Sequence, residues 1–179
     1  MNTHIPGELA LPAQESIAHL WELIHDIRFA MFTTQDRDGH LHACPMTMQN
    51  RDLGDEALIW FFMERDSETV ACLQTHSEVN LSWTHPGKDR YVSACGSARV
   101  VDDKAKLNEL WSGVAEAWFP DGVKNPNVAL VQVQLTHASF WDIKESKITR
   151  LFQMAHGAHG IKPPLLGESA EKQLSFVTS

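Results

Sequence analysis

The chain has 179 residues, of which 43% are hydrophobic and 21% are charged, and its formal net charge is −8. This composition is that of a folded globular domain and argues against a disordered chain. Nucleic acids and anionic membranes both favour a basic surface, so the charge argues against either as a partner. No apolar stretch is long enough to span a bilayer. The first residues also lack the basic start and apolar run of a signal peptide.

These features predict a single domain over residues 1–179, with an N-terminal arm at 1–13 and a C-terminal extension at 145–179. The three cysteines, Cys44, Cys72 and Cys95, show no C-x-x-C spacing. Such sparse and unpaired cysteines fit a reducing compartment, so we expect a cytoplasmic protein without disulfides.

The first elements are a helix and a hairpin. Ser16 is a candidate helix cap, and apolar residues then recur at helical spacing: Ile17, Leu20, Trp21, Ile24 and Ile27. The turn sequence Asp36-Arg37-Asp38-Gly39 separates two β-prone segments, so 28–48 is predicted as a hairpin.

Strands dominate the middle of the chain. Residues 57–63 form a continuous apolar run, typical of a buried strand, and Asp66-Ser67 can cap the short helix that follows. Residues 79–84 and 91–101 are predicted strands, and Gly96 indicates a bulge or a close backbone approach in the second of them.

The last predicted elements are one helix and two strands. Asp102 or Asp103 can cap a helix that runs to about Ala117, and strands are predicted at 128–135 and 139–143. Beyond Lys144 the only candidate element is a helix through Leu151 and Met154. Short antiparallel strands with a few helices between them predict a mainly β (α+β) barrel with helical decoration.

Motifs for several enzyme classes are absent. The sequence contains no G-x-S-x-G elbow, no P-loop and no G-x-G-x-x-G fingerprint, which disfavours a hydrolase, a P-loop NTPase and a Rossmann dehydrogenase. The pairs His40/His42 and His156/His159 have metal-like spacing, but no nearby carboxylate or cysteine completes either set. No metal site is therefore predicted.

The segment from Trp60 to Ser67 leads from a buried strand directly into a capped helix start. Free N–H groups at such a start attract anions, to which Ser67 could add a hydroxyl and Arg65 a charge. Taken alone, the segment indicates no more than a plain capped helix.

An ordered series of short motifs extends over residues 20–143, and it resembles the FMN-binding split-barrel proteins related to pyridoxamine 5′-phosphate oxidase. The similarity is greatest to their general stress protein branch. The motifs are R-F-A-M-F-T-T, D-G, P-M, W-F-F, R-D-S, V-N-L-S, Y-V-S-x-x-G, V-V-D-D, E-L-W, A-W-F-P-D-G and F-W-D. The specificity lies in their order and spacing together, since no single motif is diagnostic.

This resemblance implies a six-stranded antiparallel split β-barrel with flanking helices, a two-fold homodimer, and FMN in a cleft at the dimer interface. It implies that the flavin ring rests near P-M and aromatic residues of the partner chain. The implied cofactor-binding residues are Cys44, Pro45, Met46, Thr47, Phe62, Met63, Arg65, Ser67, Thr69 and Tyr91, with Trp118 or Trp141 arriving from the other chain.

The phosphate-binding pattern of the family is altered here. Cys44 stands where the resemblance places an arginine, Met63 where it places a threonine, and Thr69 where it places a lysine, while Ser67 is retained. Two cations are thus missing from a site for a dianion, and charged hydrogen bonds are the strong ones.

Two interpretations follow from these changes. Either FMN binds weakly, in a flavoprotein oxidoreductase or a flavin-binding stress protein, or the site has changed to another ligand or to none. In the second case the chain would be a non-enzymatic split-barrel dimer, with haem as one candidate planar ligand because of His156 and His159. No catalytic residue is predicted, and an acidic chain without a second basic pocket disfavours oxidation of pyridoxamine phosphate itself.

Overall fold

The computed structural model describes residues 13–142 and 171–176. Helix α1 (Ala13–Ile24) comes first, and its apolar side, including Leu20 and Ile24, is buried against the sheet. Ser16 lies inside this helix instead of capping it. The prediction for Ser16 was wrong because the helix begins three residues earlier, at Ala13.

The sheet has six strands in one antiparallel path and a seventh beside it. The strands are β1 (Phe29–Gln35), β2 (Leu41–Thr47), β3 (Leu58–Glu64), β4 (Glu78–His85), β5 (Arg90–Val101), β6 (Val128–Asp142) and β7 (Glu171–Ser175). Neighbours follow the order β2-β1-β4-β5-β6-β3, and β7 pairs with β6. A bridge between Met48 and Phe61 brings the ends of the path together, so the sheet curls into a barrel.

Strand β6 is one continuous strand, whereas two strands were predicted. Its first part pairs with β3 and its last part with β7, and residues 130–142 pair with β5 except at one position. A bulge leaves Thr136 without a partner residue on β5, and the Thr136 hydroxyl donates to the Cys95 carbonyl at 3.1 Å. The bulge accommodates Thr136 as one extra residue on β6, so the strand continues through the segment that was predicted to separate two strands.

The main core fills the barrel beneath α1. Its largest fully buried side chains include Leu20, Phe32, Phe61, Trp83 and Leu135. β7 also contributes to this core, because Leu174 is only 1% exposed. The predicted helix through Leu151 and Met154 lies outside the described residues.

Three short helices decorate the barrel. Helix α2 (Glu68–Leu73) is capped by Ser67, as predicted. The single helix predicted up to Ala117 is instead α3 (Lys104–Leu110), capped by Asp103, and α4 (Gly113–Glu116). The helix breaks at Trp111, whose ring packs 5.2 Å from that of Phe62 and 6.4 Å from that of Phe119.

A second apolar cluster lies between α3, α4 and the outer side of β3 and β6, and it is built around Trp60, Phe62, Leu110 and Leu130. Within the ranges 13–142 and 171–176, no helix combines the length and apolarity needed to cross a membrane.

Candidate functional site

A split in the barrel wall separates β2 from β3. The two strands meet only at the Met48–Phe61 bridge, and β2 is otherwise paired on one side, with β1. Helix α2 follows β3 and approaches β2 at this split: Cys44 Sγ lies 3.6 Å from Thr69 Oγ1. The structure thus brings together two predicted site residues that are 25 positions apart in sequence.

A groove of about 190 Å³ extends from this contact between the β1–β2 hairpin and α2. We call it the hairpin groove, and its lining residues are Thr34, Asp36, His40, Leu41, His42, Glu68, Thr69 and Cys72. Only Thr69 among them was a predicted site residue. Four of the others, Asp36, His40, Leu41 and His42, belong to the hairpin segment 36–42, a pattern that alone indicates no ligand.

The hairpin groove is acidic on one side. Asp36 Oδ1 accepts hydrogen bonds from the backbone N–H groups of Asp38 and His40, both at 2.9 Å. The His40 bond is the main reason why the pKa of Asp36 is below its ordinary value. Glu68 adds a second carboxyl group, and no lysine or arginine lines this groove in the described part of the chain.

The two groups predicted to assist an anion at α2 are already engaged. Ser67 Oγ accepts from the Val70 N–H at 3.3 Å. Arg65 donates to the Val128 carbonyl at 3.3 Å and lies 3.6 Å from Asp102. The contacts of Arg65 are therefore with residues beside β6, not with α2.

Phe62 and Met63 are core residues. Phe62 is 8% exposed and belongs to the second apolar cluster, whereas Met63 is 2% exposed and packs in the main core. They point to opposite sides of β3, as successive strand residues must. Neither residue lines the hairpin groove, and both pack in apolar clusters.

Pro45 and Thr47 lie on the outer side of the sheet, away from the main core. The strand register places them on one face with Phe29, Met31, Ser82, Ser93, Tyr91, Ser139 and Trp141. We call these nine residues the outer sheet face. Phe29 and Met31 are 42% and 40% exposed, and none of the nine side chains is charged. Met46 points the other way and packs against the main core.

Tyr91 and Trp141 are direct partners on β5 and β6, and both are half-buried. Because β1 and β4 stand between β2 and β5, Tyr91 lies across the sheet from Cys44. Neither Tyr91 nor Ser67 lines the hairpin groove.

Trp118 is exposed at the end of α4. Its exposed fraction is 66%, and that of Val114, one helical turn earlier, is 46%. This exposure excludes a core role for Trp118, which was the alternative to an interface role.

A larger groove, of about 400 Å³, lies elsewhere on the barrel. It runs from the 50–56 loop to α3, and Trp60 and Lys106 contribute to its wall. Lys106 Nζ lies 5.6 Å from the centre of the Trp60 ring and 2.9 Å from Glu109. No predicted site residue lines this groove.

Comparison with protein families gives a match to pyridoxamine 5′-phosphate oxidase-like proteins over residues 15–162. The chain belongs to this family. The general stress FMN/FAD binding protein from Xanthomonas citri is 30% identical, with 85% of this chain and 99% of that chain covered and a TM-score of 0.63.

Two more distant relatives agree with this assignment. A pyridoxamine 5′-phosphate oxidase-related, FMN binding protein from Nostoc punctiforme has a TM-score of 0.59 at 15% identity, covering 76% of this chain and 87% of that one. Protein bli-3 of Neurospora crassa is 22% identical over 170 residues, which is 90% of this chain and 81% of that protein. The predicted family and the split-barrel fold are therefore confirmed.

Proposed function

We propose that this protein binds a flavin at the split in the barrel, as a homodimeric member of the general stress branch of its family. The observation that carries the proposal is the contact between Cys44 and Thr69 across the split, because it joins two of the positions that the resemblance assigns to one ligand. The FMN/FAD-binding relative that is 30% identical over most of both chains supports the same ligand class.

The residues next to the split fit the ring end of a flavin. Pro45 and Thr47 lie on the outer sheet face, which offers an uncharged surface with exposed apolar side chains next to the split. A planar aromatic ring is stabilised by such a surface. Pro45, Met46 and Thr47 would hold the ring, mainly through their backbone.

The residues at the phosphate end of the proposed site fit a phosphate less well. Cys44 and Thr69 are uncharged, Arg65 contacts Asp102, and the adjoining hairpin groove contains Asp36 and Glu68. A phosphate is stabilised best by charged donors. We therefore propose that FMN is the ligand but that it binds weakly and dissociates easily.

A bound flavin would supply the redox chemistry, and the protein would position it and exclude water. Oxidoreductase activity is the reaction class that we propose. None of the nine named side chains is a carboxylate, a lysine or a histidine, although the same face continues along β6 to His137, which pairs with Cys95. We assign no proton-donating residue among the nine, and their proposed role is to bind and orient the ring.

The outer sheet face is also the surface on which we propose that two chains meet. In a chain of net charge −8, an uncharged face allows two copies to approach without placing like charges together. Trp118 or Trp141 of the second chain would then complete the ring pocket, and Trp118 has the exposure that this requires.

The missing cations favour one rival function, a split-barrel dimer without flavin that binds another planar ligand or none. Haem was the candidate, but His156 and His159 lie outside the described residues. An absorbance spectrum separates the possibilities, because flavin bands, a Soret band and a featureless visible region each indicate a different one. The cytoplasmic location stays a prediction.

Restoring charge at the split tests the proposed function. The double variant Cys44→Arg/Thr69→Lys should bind FMN more tightly than the wild type, because each new charged contact contributes about 1.5–3 kcal/mol. Titration of apo-protein with FMN, followed by flavin fluorescence, measures the change.

Riboflavin provides the control, since it lacks the phosphate and its affinity should not respond to the new charges. An uncharged pair of substitutions, Cys44→Met/Thr69→Gln, controls for altered packing. Nanomolar FMN binding by the wild type would contradict the weak site. Equal FMN affinity in the wild type and the charged variant would contradict the placement of the phosphate.

A further inference from the structure

The hairpin groove brings imidazole and carboxylate groups close together, and these are groups that bind transition metals. His40 and His42 are two residues apart and both line the groove. Asp36 Oδ2 lies 3.3 Å from His40 Nδ1. Asp38 extends this cluster, since the ligand atoms of Asp36, Asp38 and His40 all lie within 4.8 Å of one another. The fold therefore adds carboxylates to a histidine pair whose sequence spacing alone predicted no metal site.

Helix α2 forms the other wall of the groove and adds negative charge to it. Glu68, at the start of α2, faces the hairpin residue Asp36 across a groove of about 190 Å³, and both carboxyl groups line it. No lysine or arginine lines this groove in the described part of the chain. A small cleft whose charges are all negative raises the local concentration of cations. The groove therefore favours a cation as its ligand.

Two buried polar side chains also line the groove. Thr34 is the strand partner of His42 and is 2% exposed, and Cys72 on α2 is 7% exposed. Neither the Thr34 hydroxyl nor the Cys72 thiol has a hydrogen-bond partner among residues 13–142 and 171–176. Buried hydroxyl groups are nearly always paired with protein, water or a ligand. The unpaired Thr34 hydroxyl therefore indicates a polar partner within the groove itself.

We propose that the hairpin groove binds Zn²⁺ through Asp36, His40 and His42. Glu68, across the groove on α2, supplies the fourth ligand. Zn²⁺ takes four imidazole, thiolate or carboxylate ligands at about 2.0–2.3 Å, whereas Mg²⁺ and Ca²⁺ take oxygen ligands, so the two imidazoles select the former. The Thr34 hydroxyl supports one of these ligands by a hydrogen bond, as is usual around metal sites. This site goes beyond the proposed flavin function and does not depend on it.

Titration of the metal-free full chain with Zn²⁺, in competition with a chromophoric chelator, tests the site. We expect stoichiometric binding, and thermal unfolding should move to higher temperature with Zn²⁺ because the ion binds only the folded hairpin and helix. His42→Gln, His40→Gln and Asp36→Asn should each weaken binding at least about 10-fold, since even the loss of a residue that only supports a ligand has an effect of this size. Glu68→Gln should weaken it by a smaller factor, because the amide oxygen can still coordinate.

His42→Gln is the most direct variant, because His42 is exposed and has no hydrogen-bond partner among the described residues. His25→Gln is the matched control, since His25 is exposed but does not line the groove, and it should bind Zn²⁺ like the wild type. Urea unfolding without metal checks that each variant is folded.

Three results would overturn the proposed metal site. The first is a wild type that does not bind Zn²⁺. The second is equally tight binding by the wild type and by the folded His40→Gln and His42→Gln variants, which would place the ion elsewhere. The third is displacement of Zn²⁺ by an equimolar amount of Mg²⁺, because carboxylates alone would then account for the binding. None of these results affects the proposed flavin function.

Discussion

Gly96 lies on β5 directly against the backbone of β6 at the bulge. A Cβ atom built on Gly96 would lie 2.3 Å from the Gln134 carbonyl oxygen and 2.9 Å from the Gln134 carbonyl carbon. Both atoms belong to the backbone, so neither can move aside without disturbing the sheet. The bulge between Cys95 and Gly96 depends on this close approach.

Gly96→Ala should therefore destabilise the protein by about 1–3 kcal/mol, the usual cost of overpacking. Urea unfolding followed by tryptophan fluorescence measures the change. Gly113→Ala is the matched control, because a Cβ there meets no atom within 4 Å and the residue begins a helix. Equal stability of Gly96→Ala and the wild type would show that the bulge tolerates a side chain.

The sequence predicted the structural role of some single residues correctly and of others wrongly. Gly96 was predicted correctly because a glycine inside a β-prone run is typical of a bulge or a close backbone approach. Ser16 was predicted wrongly, because a serine before an apolar run looks the same whether it caps the helix or lies within it. The contact between Cys44 and Thr69 is long-range in sequence, and only the family resemblance suggested that these residues share a site.

Helix α1 is held to the barrel by a charged cluster at its C-terminal end. Arg90 donates to the carbonyls of Leu23 at 2.9 Å and Glu22 at 3.3 Å, and to Asp26 at 3.0 Å. Lys88 forms an ion pair with the same aspartate. The hydrogen bond from Lys88 is the main cause that lowers the pKa of Asp26, and the charge of Arg90 lowers it further.

Asp26→Asn should lower the free energy of unfolding at neutral pH by less than about 1 kcal/mol, because Asp26 is exposed and solvent screens its ion pairs with Lys88 and Arg90. A carboxylate whose pKa is lowered in the folded state stabilises it above the ordinary value, near 3.9, and this contribution is lost as pH falls through the folded value. The stabilities of wild type and variant should therefore converge once the pH has fallen below the lowered pKa that Asp26 has in the folded state.

Urea unfolding across this pH range is the measurement. Asp38→Asn is the control, because the Asp38 carboxylate has no hydrogen-bond partner among the described residues, and its stability should match the wild type throughout. A difference between Asp26→Asn and wild type that persists in acid would show that the aspartate acts through packing instead of charge.

At the level of elements, most strands were predicted because their apolar runs are bounded by clear turn residues. The predicted helix up to Ala117 failed because apolar spacing continues past Trp111, while the packing of Trp111 against Phe62 and Phe119 requires a break. Strand β7 was missed because the segment Glu171–Ser175 has only one buried apolar residue, Leu174. These residues form a strand because they pair with β6, and no local sequence pattern reveals that pairing.

For the whole molecule, the order of motifs along the chain was enough to predict the barrel, since it specifies strands and turns together. The same order could not show which side chains line a groove. Phe62 and Met63 are themselves predicted site residues, and alternation along β3 places each of them in an apolar cluster. Tyr91 and Trp141 lie together on the outer sheet face, and their proposed role at a flavin stays a prediction.

Sedimentation velocity in the presence of excess FMN, recorded at the visible absorbance of the flavin, tests the central proposal of a flavin-binding dimer most directly. We expect flavin absorbance to sediment with a species of twice the 20.1 kDa mass of the chain. A protein boundary that carries no flavin absorbance would contradict flavin binding, and flavin that moves with a 20.1 kDa species would contradict the dimer.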